Sequence, residues 1–264
     1  MAERQIQGLR AIVTGASSGI GRAVAGELVR QGGHCVAVAR NQTKLQSLQD
    51  EIKSAADSGG SLEIVPGDIT AAETRQRAVQ QAVRCWGGLD ALVNNAGIAA
   101  FGRFADGQPE RLRQIMEVNF FATVEMIREA LPVLGQGHRP IIVNVASILG
   151  HRGIPRMYEY CASKFALQGL SQVLRVELKK KGIDLLVVSP GTTQTDFYDH
   201  VVHGRGDAPW SSSYRVMPED VARATVNAMR RGRREIFPNV MGRLLVWANR
   251  IAPSVVDRFL GRYA

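Results

Sequence analysis

A short apolar run, a glycine-rich turn and then a helix open this chain, and that order limits its fold more than any other stretch. Leu9 to Thr14 reads as a buried strand, Gly15-Ala16-Ser17-Ser18-Gly19-Ile20-Gly21 as a tight turn, and Arg22 to Gln31 as the helix that follows. Glycines let the backbone approach an anion closely, and the free N–H groups and positive dipole end of the new helix face it, which makes the turn a phosphate cradle. Such turns also join elements for steric reasons alone; the strand before, the helix after and the third glycine favour the cradle. Strand-like runs then alternate with helical patterns: His34–Ala39, Leu62–Val65, Leu89–Val93, Ile141–Ala146, Ile183–Ser189 and Glu235–Phe237. Alternation of this kind builds an α/β fold, a doubly wound parallel sheet of about seven strands with helices on both faces. The 264 residues suit one such domain and its core.

Polar residues collect where those runs end. His34–Ala39 leads to Arg40, where a cofactor with a bare ribose would usually meet an acidic residue. An arginine fork there suits a 2′-phosphate, so NADP(H) is expected rather than NAD(H); the plain alternative is a surface arginine opening the helix from Asn41. Leu62–Val65 delivers Asp68 and Ile69 to the same edge. Asp68 reads either as an acceptor for an adenine amino group or as the cap of the helix through Arg84. Asn94-Asn95-Ala96-Gly97 follows the fourth strand, as a simple turn or as amides that bridge neighbouring strands beside a ribose. One helix is expected from Pro109 to Leu131 with Asn119 inside it, an amide that either satisfies a backbone kink or holds an ordered water.

The strongest chemistry lies between Ser147 and Lys164. Tyr160 and Lys164 stand four apart on a helix expected from Met157 to Lys181, so an ammonium sits one turn from a phenol. Free tyrosine titrates near ~10, and a neighbouring cation favours the phenolate and brings the group toward a useful range. Ser147 places a hydroxyl just after the fifth strand. Ile148, Leu149, His151, Ile154 and Met157 are expected to line the approach to it as a mostly apolar wall, the lone histidine reading as structural or solvent-facing. Pro190-Gly191-Thr192-Thr193-Gln194-Thr195 ends the sixth strand, and the polar stretch from Asp196 to Tyr214 reads as a lid.

Taken in order, these motifs resemble the short-chain dehydrogenase/reductase family from Leu9 to about Phe237. Thr14–Gly21 looks like its cofactor turn, Asn94–Gly97 like its sheet-stabilising motif, and Ser147 with Tyr160 and Lys164 like its active site. Asn119 falls where the family has a fourth catalytic member. The resemblance implies a single Rossmann-type domain over 1–239 and hydride transfer between nicotinamide C4 and a carbonyl or alcohol carbon. Tyr160 would be the general acid or base, Ser147 would hold the substrate oxygen, Lys164 would lower the tyrosine pKa and bind ribose, and Asn119 would position a water. Gly15, Ser17, Ser18, Gly19, Ile20, Gly21, Arg40, Asp68, Ile69, Asn95, Ala96, Gly97, Tyr160, Lys164, Pro190, Gly191, Thr193 and Thr195 would contact the cofactor. The function expected is an NADPH-dependent carbonyl reductase for an apolar ketone or alcohol. Its alternatives are a 3-oxoacyl-carrier reductase and a non-catalytic dinucleotide sensor or scaffold; the tuned phenol speaks against the last. A homodimer or homotetramer is expected, and no metal.

Residues 240–264 depart from the plain pattern as a basic amphipathic helical extension. Val240, Met241, Leu244, Leu245, Ala248 and Ile251, then Val255, Val256, Phe259, Leu260 and Tyr263, repeat at helical spacing on either side of Pro253. Such stripes pack on the protein or a second subunit, roof the pocket, or lie on an anionic membrane. The charge points the same way: of a net +9, eight arginines against two acidic residues from Arg230 onward give +6. A solvated face, or a surface for an acidic carrier, anionic lipid or partner, fits that excess; nucleic acid does not, for lack of interleaved aromatic platforms. Three separated cysteines indicate a reducing compartment, so a cytoplasmic location is expected, with the tail as the route to a peripheral membrane contact; Met1–Gln7 leaves no room for a secretory leader.

Overall fold

The computed structural model describes residues 3–54, 59–195 and 215–263. The apolar runs form a parallel sheet of β1 (Arg10–Thr14), β2 (His34–Ala39), β3 (Ser61–Pro66), β4 (Ala91–Asn94), β5 (Ile141–Val145), β6 (Asp184–Val188) and β7 (Glu235–Ile236). Their order is β3-β2-β1-β4-β5-β6-β7. The chain therefore starts in the middle, winds out to β3, and returns to the other side of β1 with β4. This reversal opens a crevice at the carboxyl ends of β1 and β4. Val13 pairs with Val93, so Thr14 and the Asn94-Asn95 pair finish side by side.

Strands covered on both faces must be apolar on both, and β5 is buried at every residue. One face packs α1 (Gly19–Arg30), α2 (Gln42–Ser54) and α7 (Pro218–Arg230), with Val24, Leu28, Leu45 and Val226 in a common core. The other packs α3 (Ala72–Trp86), α5 (Ala122–Leu134) and α6 (Tyr158–Lys179), with Val79, Met126 and Leu167 inside. All seven strands fall within about two residues of where the sequence places them, whereas α1 begins at Gly19, inside the expected glycine turn, and not at Arg22. The helix expected from Pro109 to Leu131 is instead divided: α4 (Pro109–Met116) passes into a π-helical stretch at Glu117–Phe121 before α5 begins. A π bulge adds a residue to one turn and often marks a functional position; here it carries Asn119. The lid expected from Asp196 to Tyr214 lies outside the described residues.

The tail forms α8 (Val240–Ile251) and α9 (Pro253–Leu260), parted at Pro253 as the pattern predicts. Asn239 caps α8 by accepting from the Gly242 N–H at 3.0 Å. Gly242 lets α8 sit on the turn after Ser147: a Cβ there would stand 2.7 Å from the Ile148 side chain. Arg152 reaches the same helices, donating to Asn249 at 2.9 Å and Asp257 at 2.5 Å. The basic excess that looked continuous in sequence is divided in space. Arg230 lies by the amino ends of the strands, where its carbonyl receives the Arg4 N–H, whereas Arg243, Arg250, Arg258 and Arg262 follow the tail to the carboxyl side.

Candidate active site

One cavity of about 480 Å³ runs along the carboxyl ends of the central strands and joins the two regions singled out in sequence. Gly15, Ser17, Ser18, Gly19 and Ile20 line one part of it. Gly15 and Gly19 have φ of +66° and +53°, and a Cβ on Gly15 would stand 2.8 Å from the Ala96 backbone. Gly21 does not line the cavity; it lies beneath the turn, where a Cβ would come within 2.3 Å of both the Asn95 amide and the Gly15 carbonyl. Ser18, at the cap of α1, makes no side-chain cap bond, and no acidic residue stands in the first turn. The helix end thus faces the cavity without a competing negative charge.

Side-chain amides hold the crevice open at fixed width. The Asn95 amide donates to the carbonyls of Thr14 at 3.0 Å and Gly15 at 3.2 Å, while Thr14 Oγ1 accepts from the N–H groups of Asn95 and Ala96. Asn94 donates to Asn144 on β5 at 3.0 Å, and Asn144 to Ser171 on α6 at 2.9 Å. The bridging reading of the asparagines is the observed one. Thr14, named in sequence only as the start of the cofactor turn, and Asn144, named only as part of the fifth strand, complete it; polar residues inside otherwise apolar strands were the available signal.

At the ends of β2 and β3, Arg40, Asp68 and Ile69 line the same cavity, as does Lys44, in the first turn of α2. Arg22 is occupied elsewhere, donating to the Lys44 carbonyl and to Glu51. Asp68 accepts from the Thr70 N–H and hydroxyl, each at 2.9 Å, and α3 starts after Ala71 with no side-chain cap. Asp68 is therefore a turn residue at the cavity edge, and the helix-cap reading is not what the structure has.

Across the crevice stand Asn95, Ala96, Gly97, Ser147, Tyr160 and Lys164, and then Pro190, Gly191, Thr193 and Thr195. Thr195 closes toward the phosphate turn, its Cγ2 lying 2.9 Å from where a Gly19 Cβ would be. Tyr160 and Lys164 are both buried, with Lys164 Nζ 5.6 Å from the phenol ring centroid. Nζ donates to the Val145 carbonyl at 2.9 Å, which aims it at the cavity floor. Burial pushes the Lys164 ammonium down to about 8, still mostly charged at neutral pH. Ser147 Oγ accepts from the Leu149 N–H at 3.1 Å, which leaves its hydroxyl hydrogen to donate.

Asn119 lies one layer behind. It is fully buried, accepts from the Ile98 N–H at 2.8 Å, and donates to the Ile98 carbonyl and Ser163 Oγ, each at 2.9 Å. Both amide hydrogens are thereby used, so the side chain fastens the π turn to the loop after β4 and to α6. Ser163, inside the Tyr160–Lys164 interval, had no signal of its own. Leu149, Ile154 and Met157 do form an apolar cluster around Tyr160, closed by Val256 and Leu260 of α9. His151 leaves this wall: its Nε2 lies 2.9 Å from Glu235, 3.2 Å from Ser189 and 2.6 Å from Gln168. Burial works against the Glu235 carboxylate, but these partners outweigh it and hold its pKa below the usual range.

The backbone cradle, the two cations near a ribose position and the buried Tyr160–Lys164 pair fit a nicotinamide dinucleotide. The model of the short chain dehydrogenase family matches residues 10–205. Ketoacyl reductase HetN of Nostoc is 32% identical over 260 residues, covering 96% of this chain and 88% of that one. A short chain dehydrogenase/reductase from Burkholderia phymatum, solved with NAD, has a TM-score of 0.85 at 24% identity over 96% of both chains. An alcohol dehydrogenase from Thermococcus sibiricus, solved with 5-hydroxy-NADP, has a TM-score of 0.75 at 23% identity over 86% of this chain and 94% of that one. The chain belongs to the short-chain dehydrogenase/reductase family and is an oxidoreductase of that kind.

Proposed function

We propose that the protein is an NADPH-dependent reductase that interconverts an apolar ketone and the corresponding secondary alcohol. The observation that carries this reading is the single cavity joining the phosphate turn, Arg40 and Lys44 to Ser147, Tyr160 and Lys164. When bound, the nicotinamide supplies a hydride to the carbonyl carbon or accepts one from the alcohol carbon. Tyr160 gives its phenolic proton to the carbonyl oxygen in reduction and takes one from the alcohol in oxidation. The Ser147 hydroxyl donates to the same oxygen and steadies the charge that develops there. The Lys164 cation favours the phenolate and lies within the same crevice as the ribose would. Asn119 acts through Ile98 and Ser163, positioning the loop and helix around these groups. Arg40, helped by Lys44, suits a 2′-phosphate, and the reduced state of that cofactor sets the direction.

An apolar substrate fits the cluster of Leu149, Ile154 and Met157 around Tyr160. A 3-oxoacyl group on a carrier is the second reading, favoured by the name of the Nostoc relative and by the arginines of α8 and α9. Residues 240–264 extend the same domain, since Val256 and Leu260 share a core with Tyr160. Assembly of two or four copies suits α6, which leaves Phe165, Val173 and Val176 exposed on one stripe. Free Cys35, Cys85 and Cys161 suit a reducing cytoplasm.

The test is a panel of carbonyls and alcohols with both cofactors. NADPH oxidation should be supported and Tyr160→Phe should lower it by roughly a hundredfold or more. Arg40→Asp should reverse the cofactor preference; equal affinity of the parent for NADPH and NADH would refute the cofactor assignment.

A further inference from the structure

Helix α8 is apolar on two opposite sides. The inner side of α8 buries Gly242 and Val246 against the body. Its outer side carries Val240, Leu244, Trp247 and Ile251 at positions i, i+4, i+7 and i+11, exposed by 66%, 53%, 55% and 78%. Met241 adjoins this stripe, and Val255 and Phe259 extend it onto α9, all of them more than half exposed. A surface helix ordinarily turns one apolar stripe to its own core and a polar side to water, and nothing among the described residues covers the stripe of Val240, Leu244, Trp247 and Ile251. Arg243 and Arg250 flank it on one side, and Arg258 and Arg262 follow on α9 and just beyond. The one acidic residue of the tail, Asp257, already pairs with Arg152.

We propose that the outer face of α8 and α9 docks the protein on an anionic lipid surface. Acyl chains accept the stripe, headgroup phosphates meet the arginines, and the indole of Trp247 has an amphipathic interface to occupy. A second copy on this face would oppose four arginines to four others, a like-charge arrangement that costs affinity. Docking is in the plane of the interface, since no helix among the described residues is long and apolar enough to cross a membrane. The inner side of the same helices closes the cluster around Tyr160. A ketone dissolved in the bilayer is then separated from the cavity by the thickness of one helix layer.

The test is flotation of the full chain with phosphatidylcholine vesicles, with and without roughly one third phosphatidylglycerol. Binding should be roughly tenfold weaker to phosphatidylcholine alone than to the anionic vesicles and should decline with added salt. Leu244→Asp/Trp247→Asp, at exposed positions, should weaken binding by at least about tenfold while leaving far-UV circular dichroism and the reductase rate unchanged. Arg243→Glu/Arg250→Glu should remove the preference for anionic lipid. Absence of flotation, or equal flotation by the aspartate variant, overturns the proposal. So does conversion of a dimer to a monomer by that variant in sedimentation velocity, which would make the stripe a subunit interface. No substrate or cofactor enters the assay, so its failure is separable from failure of the reaction assigned above.

Discussion

At the scale of single residues, neighbours decide more than conformation does. Gly15 and Gly182 both have left-handed backbone, with φ of +66° and +72°. At Gly182 a Cβ would meet nothing within 4 Å among the described residues, whereas at Gly15 it would meet the Ala96 backbone at 2.8 Å. Gly182→Ala should therefore cost only the left-handed strain, about 1–2 kcal/mol. Gly15→Ala adds a collision with backbone that cannot step aside, in a turn pinned by Asn95 and Thr14. Dinucleotide binding should weaken by roughly tenfold or more, measured by cofactor titration, and Gly182→Ala should leave it unchanged. Comparable losses in both variants would mean that the turn's conformation, not its packing, holds the cradle.

At the scale of elements, α4 and α6 meet through a buried ion pair placed one residue before Tyr160. Arg111 Nε donates to Glu159 at 2.6 Å, with Glu159 wholly buried. Arg111→Met leaves that carboxylate without its counter-charge, and a loss of about 3–5 kcal/mol is expected, seen as a fall in Tm of roughly 10 °C. Arg111→Met/Glu159→Leu should recover most of it; if the double variant is no better than the single one, packing rather than charge joins the helices. None of this was readable beforehand, because Arg111 and Glu159 are 48 residues apart. The strands and the glycine turn were legible because their signals are local: apolar runs and punctuating glycines. The π turn at Glu117–Phe121 was not, since a single extra residue leaves the apolar pattern helical. Lys44, near Arg40 in sequence, could have been noticed as a cation in the first turn of the helix. In the tail, periodicity gave two helices and an apolar stripe, but not which side the body would cover; the side it left bare is the longer one.

At the scale of the whole molecule, stability and activity should respond to pH in opposite directions. The chain carries +9, so protonating carboxylates on acidification adds self-repulsion throughout. Asp90, near the amino end of β4, accepts from Arg10 at 2.7 Å and from the His138 N–H at 2.7 Å. Burial raises its pKa, but these bonds prevail and hold it below the usual range, as His151 and its companions do for Glu235. A carboxylate with a lowered folded pKa contributes stability above its unfolded value and loses it as pH falls through the folded one. Lys164 adds a second gain on the alkaline side. With a pKa lowered by burial from 10.5 to about 8, it binds fewer protons folded than unfolded between those values, so its contribution to stability rises with pH there. Cys35 limits the rise: burial raises its thiol above 9.0, so the unfolded chain alone ionises beyond that point. In the reaction proposed above, reduction needs the Lys164 cation beside Tyr160, and that cation is lost over the same interval. The urea midpoint should therefore climb through about pH 8–9 while kcat/KM for carbonyl reduction declines with an apparent pKa near 8. Lys164→Met should flatten the climb and lower the rate at every pH. If midpoint and rate fell together in the parent protein, Lys164 would not be the group that titrates.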